Sequence, residues 1–297
     1  AGMSALTTST SRRPRIQAAA GRPIVRHVPH VITVTSGKGG VGKTNLTANL
    51  GLLLREGRRR VMVLDADLGL ANIDVILGLH PDFNLSHVLS GEKRLGEILT
   101  RAPGGLRVLP ASSGISSITD LSDAQKIRLL QELEGLQEDF DYLLIDTGAG
   151  ISNNVIYFNL AAQTIVVVLT PEPTSLTDAY ALIKVLSRDY HQRRFKVMAN
   201  DVRTEAEGLE VFEKLTRVAD RFLNVSLDYL GHVLHDRQLR ESVRMQRPFV
   251  EAFPDGPASA SLREVAKQIT AMPHNPMDSD LGLLWRNLLG GPAAAGH

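Results

Sequence analysis

The sequence predicts an α/β fold in which a mostly parallel central sheet carries helices on both faces. From residue 31 onward, short aliphatic or β-branched runs alternate with longer amphipathic stretches. Residues 165–169, Ile-Val-Val-Val-Leu, are apolar at every position, which suits a strand that is covered on both sides. Strand–helix alternation of this kind favours parallel strands that are joined by crossover helices.

Each predicted strand is a short apolar run, and together they are residues 31–35, 61–65, 106–109, 142–146, 165–170, 195–200 and 229–234. The stretches between them have a helical pattern. One helix begins with a capping box of Ser122 and Gln125 and runs toward Asp139. No repeat or clear linker interrupts the chain between residues 31 and 272, so we expect one domain over residues 30–272.

Composition excludes several classes of function. The chain has 297 residues, of which 43% are hydrophobic, and this is enough to bury a core. A formal net charge of +1 provides no overall attraction to nucleic acid. The absence of cysteine excludes disulfides, thiolate metal sites and cysteine-bound iron–sulfur clusters. Because no apolar run approaches the roughly 20 residues of a membrane span, we expect a cytoplasmic protein.

The two ends of the chain differ from the rest. Residues 1–29 carry five arginines and no acidic residue, which predicts a disordered basic arm. Residues 273–297 form a tail in which four apolar side chains follow the helical spacing i, i+3, i+4, i+7. Such a stripe suits a membrane surface, a partner groove or the chain's own domain. These four side chains are Leu281, Leu284, Trp285 and Leu288.

A glycine-rich segment carries the strongest functional signal. Residues 37–44 match the phosphate-binding pattern G-x-x-x-x-G-K-[ST] between a predicted strand and a predicted helix. Backbone N–H groups would face the phosphates, Lys43 would reach the terminal ones, and the Thr44 hydroxyl would ligate Mg²⁺. The alternative, an ordinary glycine-rich turn, requires spacing and context to coincide by chance. The predicted nucleotide-binding residues here are Gly37, Lys38, Gly39, Gly40, Val41, Gly42, Lys43, Thr44 and Asn45.

Acidic side chains stand at the ends of two predicted strands, where open α/β sheets bind their ligands. Asp65 and Asp67 end one strand, and Asp146 ends another. Asp146 follows an aliphatic run, as does the acid that holds Mg²⁺ through water in P-loop proteins. A solvated turn aspartate or a helix N-cap is the alternative for each. Residues 147–150, Thr-Gly-Ala-Gly, provide flexible backbone that could sense a γ-phosphate.

The base is predicted to be adenine. No Asn-Lys-x-Asp element, the usual guanine reader, occurs in the sequence, which favours ATP over GTP. Asn200 ends a predicted strand, and its amide could pair with the donor and the acceptor on the adenine edge. A plain turn asparagine is the alternative.

The second lysine of the glycine loop adds a family resemblance. Lys38 resembles the signature lysine of the deviant Walker A ATPases of the MinD/ParA family. Residues 65–74 and 77–79 are similar to the first switch segment of that family. Residues 145–150 are similar to its second switch, in which Thr147 takes a position that is proline in many members.

A more specific resemblance extends further along the chain. Residues 172–184 and 220–223 look like the flagellar-number regulators of the MinD family, the FlhG/FleN group. Together the similar segments cover roughly residues 30–272. The resemblance therefore implies a MinD/ParA-like fold and ATPase activity.

The resemblance also implies roles for single residues. Lys38 would reach across a dimer interface to the phosphates of the partner, and Asp67 would position the attacking water. Asp65 and Asp146 would join the outer shell of Mg²⁺ through water, with Thr44 as a direct ligand. The implied catalytic residues are Lys38, Lys43, Asp67 and Asp146.

Two more segments have counterparts in the family. Asn200 would contact adenine, and residues 231–236, which end at Asp236, resemble a loop that closes over the base. Leu234 stands where this loop usually has proline. Near the other end, Gln17-Ala18 with Arg22 partly resembles a short motif that activates a partner GTPase, although Ile16 and Gly21 differ from it.

The expected function is an ATP-dependent dimerising switch with slow, Mg²⁺-dependent hydrolysis that regulates the number or placement of flagella. By resemblance, its partners are a second copy of the chain and a flagellar transcription regulator, a flagellar GTPase or motor-switch proteins. Peripheral contact with the inner face of the membrane would be weak, and nucleic acid is not expected. The alternative is a DNA- or cell-division-positioning ATPase of ParA/MinD type. An enzyme or metal-cluster carrier on the same fold is a third reading, and the lack of cysteine argues against the carrier.

Overall fold

A computed structural model describes residues 29–67, 72–110, 121–136 and 139–273. Its eight strands form one sheet in the order β3-β4-β2-β5-β1-β6-β7-β8, and every neighbouring pair is parallel except β3 with β4. The strands are β1 (His30–Ser36), β2 (Val61–Ala66), β3 (Thr100–Arg101), β4 (Arg107–Leu109), β5 (Tyr142–Ala149), β6 (Thr164–Leu169), β7 (Arg194–Val202) and β8 (Ser226–Leu234).

All seven predicted strands are confirmed, with small differences at their ends. The strand that the sequence missed is β3, which has only two residues and is too short for an apolar run to mark it. The helices are α1 (Lys43–Glu56), α2 (Ile73–Ile76), α3 (Leu85–Ser90), α4 (Leu95–Ile98), α5 (Asp123–Leu136), α6 (Asn153–Leu160), α7 (Pro173–Arg188), α8 (Glu205–Phe222), α9 (Arg237–Arg244), α10 (Phe249–Ala252) and α11 (Pro257–Ala271), with a 3-10 turn at Pro103–Gly105.

The predicted capping box opens α5. The backbone N–H of Gln125 donates to Ser122 Oγ over 3.3 Å, and the backbone N–H of Ser122 donates to Gln125 Oε1 over 2.9 Å. These bonds satisfy two N–H groups at the start of the helix. The helix is described as far as Leu136, and residues 137 and 138 of the predicted run lie outside the described residues.

Helices cover both faces of the sheet, as predicted. Successive residues of β1 point to opposite faces, so Ile32 packs with α1 and α11 while Val31 packs with α3 and α5. Farther along the sheet, α7 and α8 pack on the second face, where Val167 and Phe195 are fully buried. The apolar run of the predicted β6 reflects burial from both sides.

Several predicted features lie outside the described residues. These are the basic arm before residue 29, the apolar stripe of Leu281, Leu284, Trp285 and Leu288, and residues 68–71 of the first switch segment. Among the helices that are described, none is both long enough and apolar enough to cross a membrane.

The carboxyl ends of the central strands meet at one edge of the sheet. Asp65 of β2 lies directly opposite Asp146 of β5, and β5 pairs in turn with β1, which leads into the glycine loop. Gly37 is the first residue of that loop, and the backbone of α7 packs against it. A Cβ at Gly37 would lie only 2.0 Å from the carbonyl oxygen of Asp178. The loop is thus fixed between the sheet and α7.

We predict that Gly37→Ala lowers the free energy of unfolding by about 2 kcal/mol, because α7 must move to admit the methyl group. Gly39→Ala is the matched control, since no atom lies within 4 Å of a Cβ at that position. Urea denaturation without nucleotide measures both variants. Equal stability of the two would contradict the close packing of α7 on the loop.

Candidate nucleotide-binding site

The glycine loop has the backbone conformation of an anion site. Gly40 and Gly42 have φ angles of 80° and 86°, in the left-handed region that side chains disfavour. Gly42 precedes α1 and offers no side chain to cap it. The N–H groups of the first turn of α1 therefore face the loop, where they and the helix dipole attract a phosphate.

A buried ion pair joins this loop to the sheet. Lys43 Nζ lies 2.8 Å from Asp146 Oδ1, and the two side chains are 7% and 0% exposed. Thr47 Oγ1 lies 3.3 Å from the same carboxylate oxygen. Burial raises the pKa of Asp146, and the charge of Lys43 is the largest effect that opposes the rise.

The second carboxylate oxygen of Asp146 is buried and has no hydrogen bond of good geometry among the described residues, although the nearby Thr44 hydroxyl lowers the pKa of this carboxyl. An acceptor of this kind is costly unless a donor reaches it. A water molecule bound to a cation beside the loop would supply that donor. The geometry therefore fits the predicted role of Asp146 in an outer Mg²⁺ shell.

Asp65 is almost fully buried beside Asp146 and binds backbone N–H groups. Its Oδ1 accepts from the N–H of Asp67 over 3.2 Å, and its Oδ2 accepts from those of Asn72 and Ile73 over 3.0 and 3.1 Å. Burial and the nearby charge of Asp146 raise the pKa of Asp65 to about 7, while these N–H groups oppose the rise. Asp65 thus anchors the backbone of Asp67, Asn72 and Ile73. Asp65 is not the N-cap residue of α2, which is Asn72, although it accepts the N–H of Ile73 in the first turn. Its contact with Mg²⁺ stays a prediction.

The structure brings the two predicted switch segments together. Asp67 follows β2, and Gly148 belongs to the end of β5. A Cβ at Gly148 would lie 3.6 Å from Asp67 Oδ1, so the carboxylate rests beside the backbone of the second switch. Asp67 is partly exposed at the edge where the loop lies. This is a suitable place for a group that orients water.

Lys38 has a partner that the sequence did not reveal. Its ammonium group forms an ion pair with Glu172 and donates to Thr174 Oγ1 over 2.9 Å. Glu172 and Thr174 lie at the start of α7. They are separated from Lys38 by 134 and 136 residues of sequence. Because Lys38 is 34% exposed and Glu172 is 62% exposed, this pair lies at the surface.

Asn200 supports the loop from the other side. Its Nδ2 donates to the carbonyl oxygen of Val41 over 2.7 Å, and a Cβ at Gly42 would lie 2.6 Å from the same nitrogen. The predicted contact of Asn200 with adenine was based on this amide. In the structure, the side-chain amide nitrogen of Asn200 holds the loop. The side-chain carbonyl oxygen of Asn200 is the group that can accept a hydrogen bond from a base.

A groove of about 440 Å³ runs from the loop to the ends of β7 and β8. Besides the loop itself, its lining includes Asn200, Asp201, Leu234, His235, Asp236 and Arg240. The predicted base-closing residues thus border one groove with the phosphate loop. Its size suits a nucleoside beside a bound phosphate chain.

The side chains of two predicted binding residues form hydrogen bonds within the protein. Asp236 caps α9 by accepting from the N–H of Gln238 over 2.9 Å, and it also accepts from the N–H of Ala258 over 3.4 Å. Asn45 Oδ1 accepts from Asn49 Nδ2 over 2.7 Å and points along α1. For both, a nucleotide contact by the side chain would compete with these bonds, so the backbone is the better candidate.

The groove also contains a pair that sequence reasoning missed. His235 Nδ1 lies 2.6 Å from Asp201 Oδ1, and the pair joins the end of β8 to that of β7. Asp201 has a φ of 61°, which is unusual for a residue other than glycine. No local sequence signal marks this pair, because it forms only when the two strands lie side by side.

The fold and the loop define a P-loop ATPase of the MinD/ParA class: a parallel sheet, a phosphate loop with a second lysine, and a buried lysine–aspartate pair. A family model described as an AAA domain matches residues 29–197. The chain is 27% identical to MinD in a MinC:MinD cell division complex of Aquifex aeolicus, with a TM-score of 0.65 over 83% of this chain and 98% of that one.

Two curated relatives place the chain within this class. It is 48% identical to the antiactivator FleN of Pseudomonas aeruginosa, over 84% of this chain and 90% of that protein. It is 37% identical to the flagellum site-determining protein YlxH of Helicobacter pylori, over 79% of this chain and 80% of that protein. The chain therefore belongs to the FlhG/FleN group of MinD/ParA-type ATPases.

We predict that Lys43→Ala abolishes ATP binding, because the loop loses the cation that offsets phosphate charge. The variant should also lose roughly 3 kcal/mol of stability, since Asp146 is left as an unpaired buried charge. The double variant Lys43→Ala/Asp146→Ala removes both charges and separates the two effects. It should regain stability while ATP binding stays absent in calorimetry. Binding by either folded variant would contradict the assignment of the site.

Proposed function

We propose that this chain is an ATP-dependent dimerising switch that regulates the number or placement of flagella through protein partners. The observation that carries the proposal is the contrast between the two lysines of one loop. Lys43 is buried on Asp146 and serves the nucleotide of its own chain, whereas Lys38 lies at the surface on α7. The ammonium group of Lys38 contacts the start of α7 at the surface instead of the buried Asp146, so it is suited to bind the phosphates of another copy.

The residues around the loop also fit ATP with Mg²⁺. Thr44 at the start of α1 would ligate the ion directly, while Asp146 and Asp65 would reach it through water. The unpartnered oxygen of Asp146 supports this arrangement. When bound, Mg²⁺ neutralises charge that develops on the transferred phosphoryl group. Asp67 would orient the attacking water, and Lys43 would stabilise charge on the terminal phosphates.

Dimerisation requires Lys38 to exchange partners. In the single chain its charge is satisfied by Glu172 and Thr174. An exposed ion pair of this kind contributes only about 0–1 kcal/mol, so phosphate oxygens can replace it at small cost. The lysine is therefore held in place before dimerisation without being locked there.

The state of the nucleotide would be read by the two switch segments. Asp65 anchors the backbone of Asp67 and Asn72, and Asp67 lies beside Gly148, so a γ-phosphate at this edge could order both segments together. A dimer ordered in this way would present a new surface to a partner. Hydrolysis would remove the γ-phosphate, so the dimer would dissociate and the partner-binding surface would be lost.

The flagellar part of the proposal is supported by the relatives. The names of FleN, an antiactivator, and YlxH, a flagellum site-determining protein, support a flagellar role. The partners proposed for this role are a flagellar transcription regulator, a flagellar GTPase or motor-switch proteins. The apolar stripe at residues 281–288 would add a weak contact with the membrane or with a partner. Pull-down from cell extract with ATP, ADP and the Asp67→Ala variant tests this part, since only a partner of the dimer is retained selectively with ATP.

One surface favours the DNA-positioning alternative. On α9, Arg237, Arg240 and Arg244 are exposed, and no described carboxylate lies within ion-pair distance of them. An unpaired arginine cluster attracts polyanions. If duplex DNA bound the ATP-loaded protein with a steep salt dependence, this alternative would replace the flagellar proposal.

The mechanism predicts opposite behaviour for two loop-edge variants. Asp67→Ala removes the water-orienting group, so ATP binding should persist, hydrolysis should slow by more than about tenfold and the dimer should accumulate. Lys38→Ala leaves Lys43 and Thr44 in place, so each chain should bind ATP yet stay monomeric. Size-exclusion chromatography with light scattering, run with ATP and with ADP, distinguishes these outcomes.

Two results would contradict the mechanism. One is an ATP-dependent dimer of Lys38→Ala, and the other is hydrolysis by Asp67→Ala at the wild-type rate. Glu172→Ala is the matched control, because it breaks the same surface ion pair but keeps the cation. It should dimerise with ATP.

A further inference from the structure

A chain of buried polar groups leads from α6 across β1 to the second switch. Thr33 Oγ1 donates to Asn159 Oδ1 over 2.9 Å, and Asn159 Nδ2 donates to Thr35 Oγ1 over 3.2 Å. Thr35 Oγ1 lies 2.9 Å from Thr147 Oγ1, which lies 2.8 Å from the carbonyl oxygen of Gly148. All four side chains are completely shielded from solvent. We call this chain the hydroxyl relay.

The Thr147 hydroxyl has one proton to donate and three acceptors within reach: the Gly148 carbonyl at 2.8 Å, Thr35 Oγ1 at 2.9 Å and the Val34 carbonyl at 3.4 Å. The shortest of these contacts gives the hydroxyl relay one direction. Thr35 receives a proton from the Asn159 amide, and each threonine hydroxyl has only one proton to donate. If Thr147 donates to the Gly148 carbonyl, it must accept from Thr35, and every group is then satisfied in sequence. Hydrogen bonds that run in one direction polarise and strengthen one another. The relay therefore ends as a donor to the backbone of the second switch.

This last bond fixes a peptide plane at the nucleotide edge. The peptide between Gly148 and Ala149 is planar, so holding the Gly148 carbonyl also fixes the direction of the Ala149 N–H. Gly148 lies in β5 beside Asp67, and the pairing of Ala149 with Ser36 of β1 also helps to orient the peptide. The next anchor is the N–H of Gly150, which donates to the Ser36 carbonyl over 2.9 Å.

We propose that Thr147, Thr35 and Asn159 are positioning residues of the ATPase, which hold the Gly148–Ala149 peptide in the orientation that accepts a γ-phosphate. This inference rests on the proposed switch function and deepens it. Without the relay, the Gly148–Ala149 peptide relies on the irregular end of the β1–β5 ladder, where the register shifts, and the triphosphate must order it further on binding. The diphosphate does not reach this segment, so its affinity is independent of the relay.

The position of α6 gives the relay a second consequence. Asn159 is anchored to its own helix, because Nδ2 also donates to the Val155 carbonyl over 2.7 Å. α6 begins at Asn153, directly after the second switch, and Ser152 caps it. A change in the Gly148 peptide is therefore transmitted to α6 both along the chain and through Asn159.

The test compares nucleotide affinities of Thr147→Val, which replaces the hydroxyl by a methyl group of similar size. We expect Mg-AMPPNP to bind roughly 3- to 10-fold more weakly, as for the loss of about one hydrogen bond, while the affinity for Mg-ADP changes less than twofold. Calorimetry on the full chain measures both. Thr147→Ser, which keeps the hydroxyl, should restore the wild-type ratio, and Thr35→Val should reproduce the effect of Thr147→Val.

Ser187→Ala is the control for the loss of a buried hydroxyl, since Ser187 bonds only to the Lys184 carbonyl on α7. It should leave both affinities unchanged. A purely structural role for Thr147 would weaken ADP and AMPPNP equally, and an unchanged ratio in folded Thr147→Val and Thr35→Val would overturn the relay. The switch itself is tested separately: if the wild-type chain does not dimerise with AMPPNP, the proposed function fails whatever the ratio shows.

Discussion

The buried pair of Lys43 and Asp146 is the interaction on which the rest of the site depends. Nζ of Lys43, the first residue of α1, lies 2.8 Å from Oδ1 of Asp146 in β5, and both side chains are almost fully shielded from solvent. Because an unpaired charge in such a place is very costly, the pair fixes the phosphate loop over the edge of the sheet. The position of Asp146 also determines those of two neighbours. Asp65 lies opposite Asp146 in the neighbouring strand, and Thr147 is the next residue of β5.

The same pair leaves the site short of positive charge. Two buried carboxylates, Asp65 and Asp146, lie side by side, and a single lysine contacts one of them. Burial raises the pKa of both groups, to about 7 for Asp65, and the nearby charge of Asp146 adds to the rise at Asp65. A cation that arrives with the nucleotide would relieve this shortage of positive charge and would stabilise Asp65 as an anion. Since that anion binds the N–H groups of Asn72 and Ile73, ion binding would be coupled to the position of these two residues.

The sequence predicted this architecture well where chemistry follows from local order. The loop spacing, the acids at strand ends and the alternation of strands with helices are all visible in short windows of sequence. The partners of the site were not predictable in this way. Glu172 meets Lys38, and Asn200 meets the Val41 carbonyl, across 134 and 159 residues of chain. Such contacts exist only after the sheet has formed, and no spacing rule indicates them.

Thr147 shows how one residue can change the way a shared fold is controlled. Many members of the wider family resemble this chain but have proline at that position, and proline has neither a hydroxyl nor a backbone N–H. A proline ring stiffens the second switch by restricting its own φ angle, which acts on one residue. Thr147 instead connects the switch to β1 and, through Asn159, to α6. Stiffness is then shared by three elements, so a partner that shifts α6 could alter the affinity for the γ-phosphate without touching the nucleotide. By reciprocity, the γ-phosphate would alter the affinity for that partner by the same factor.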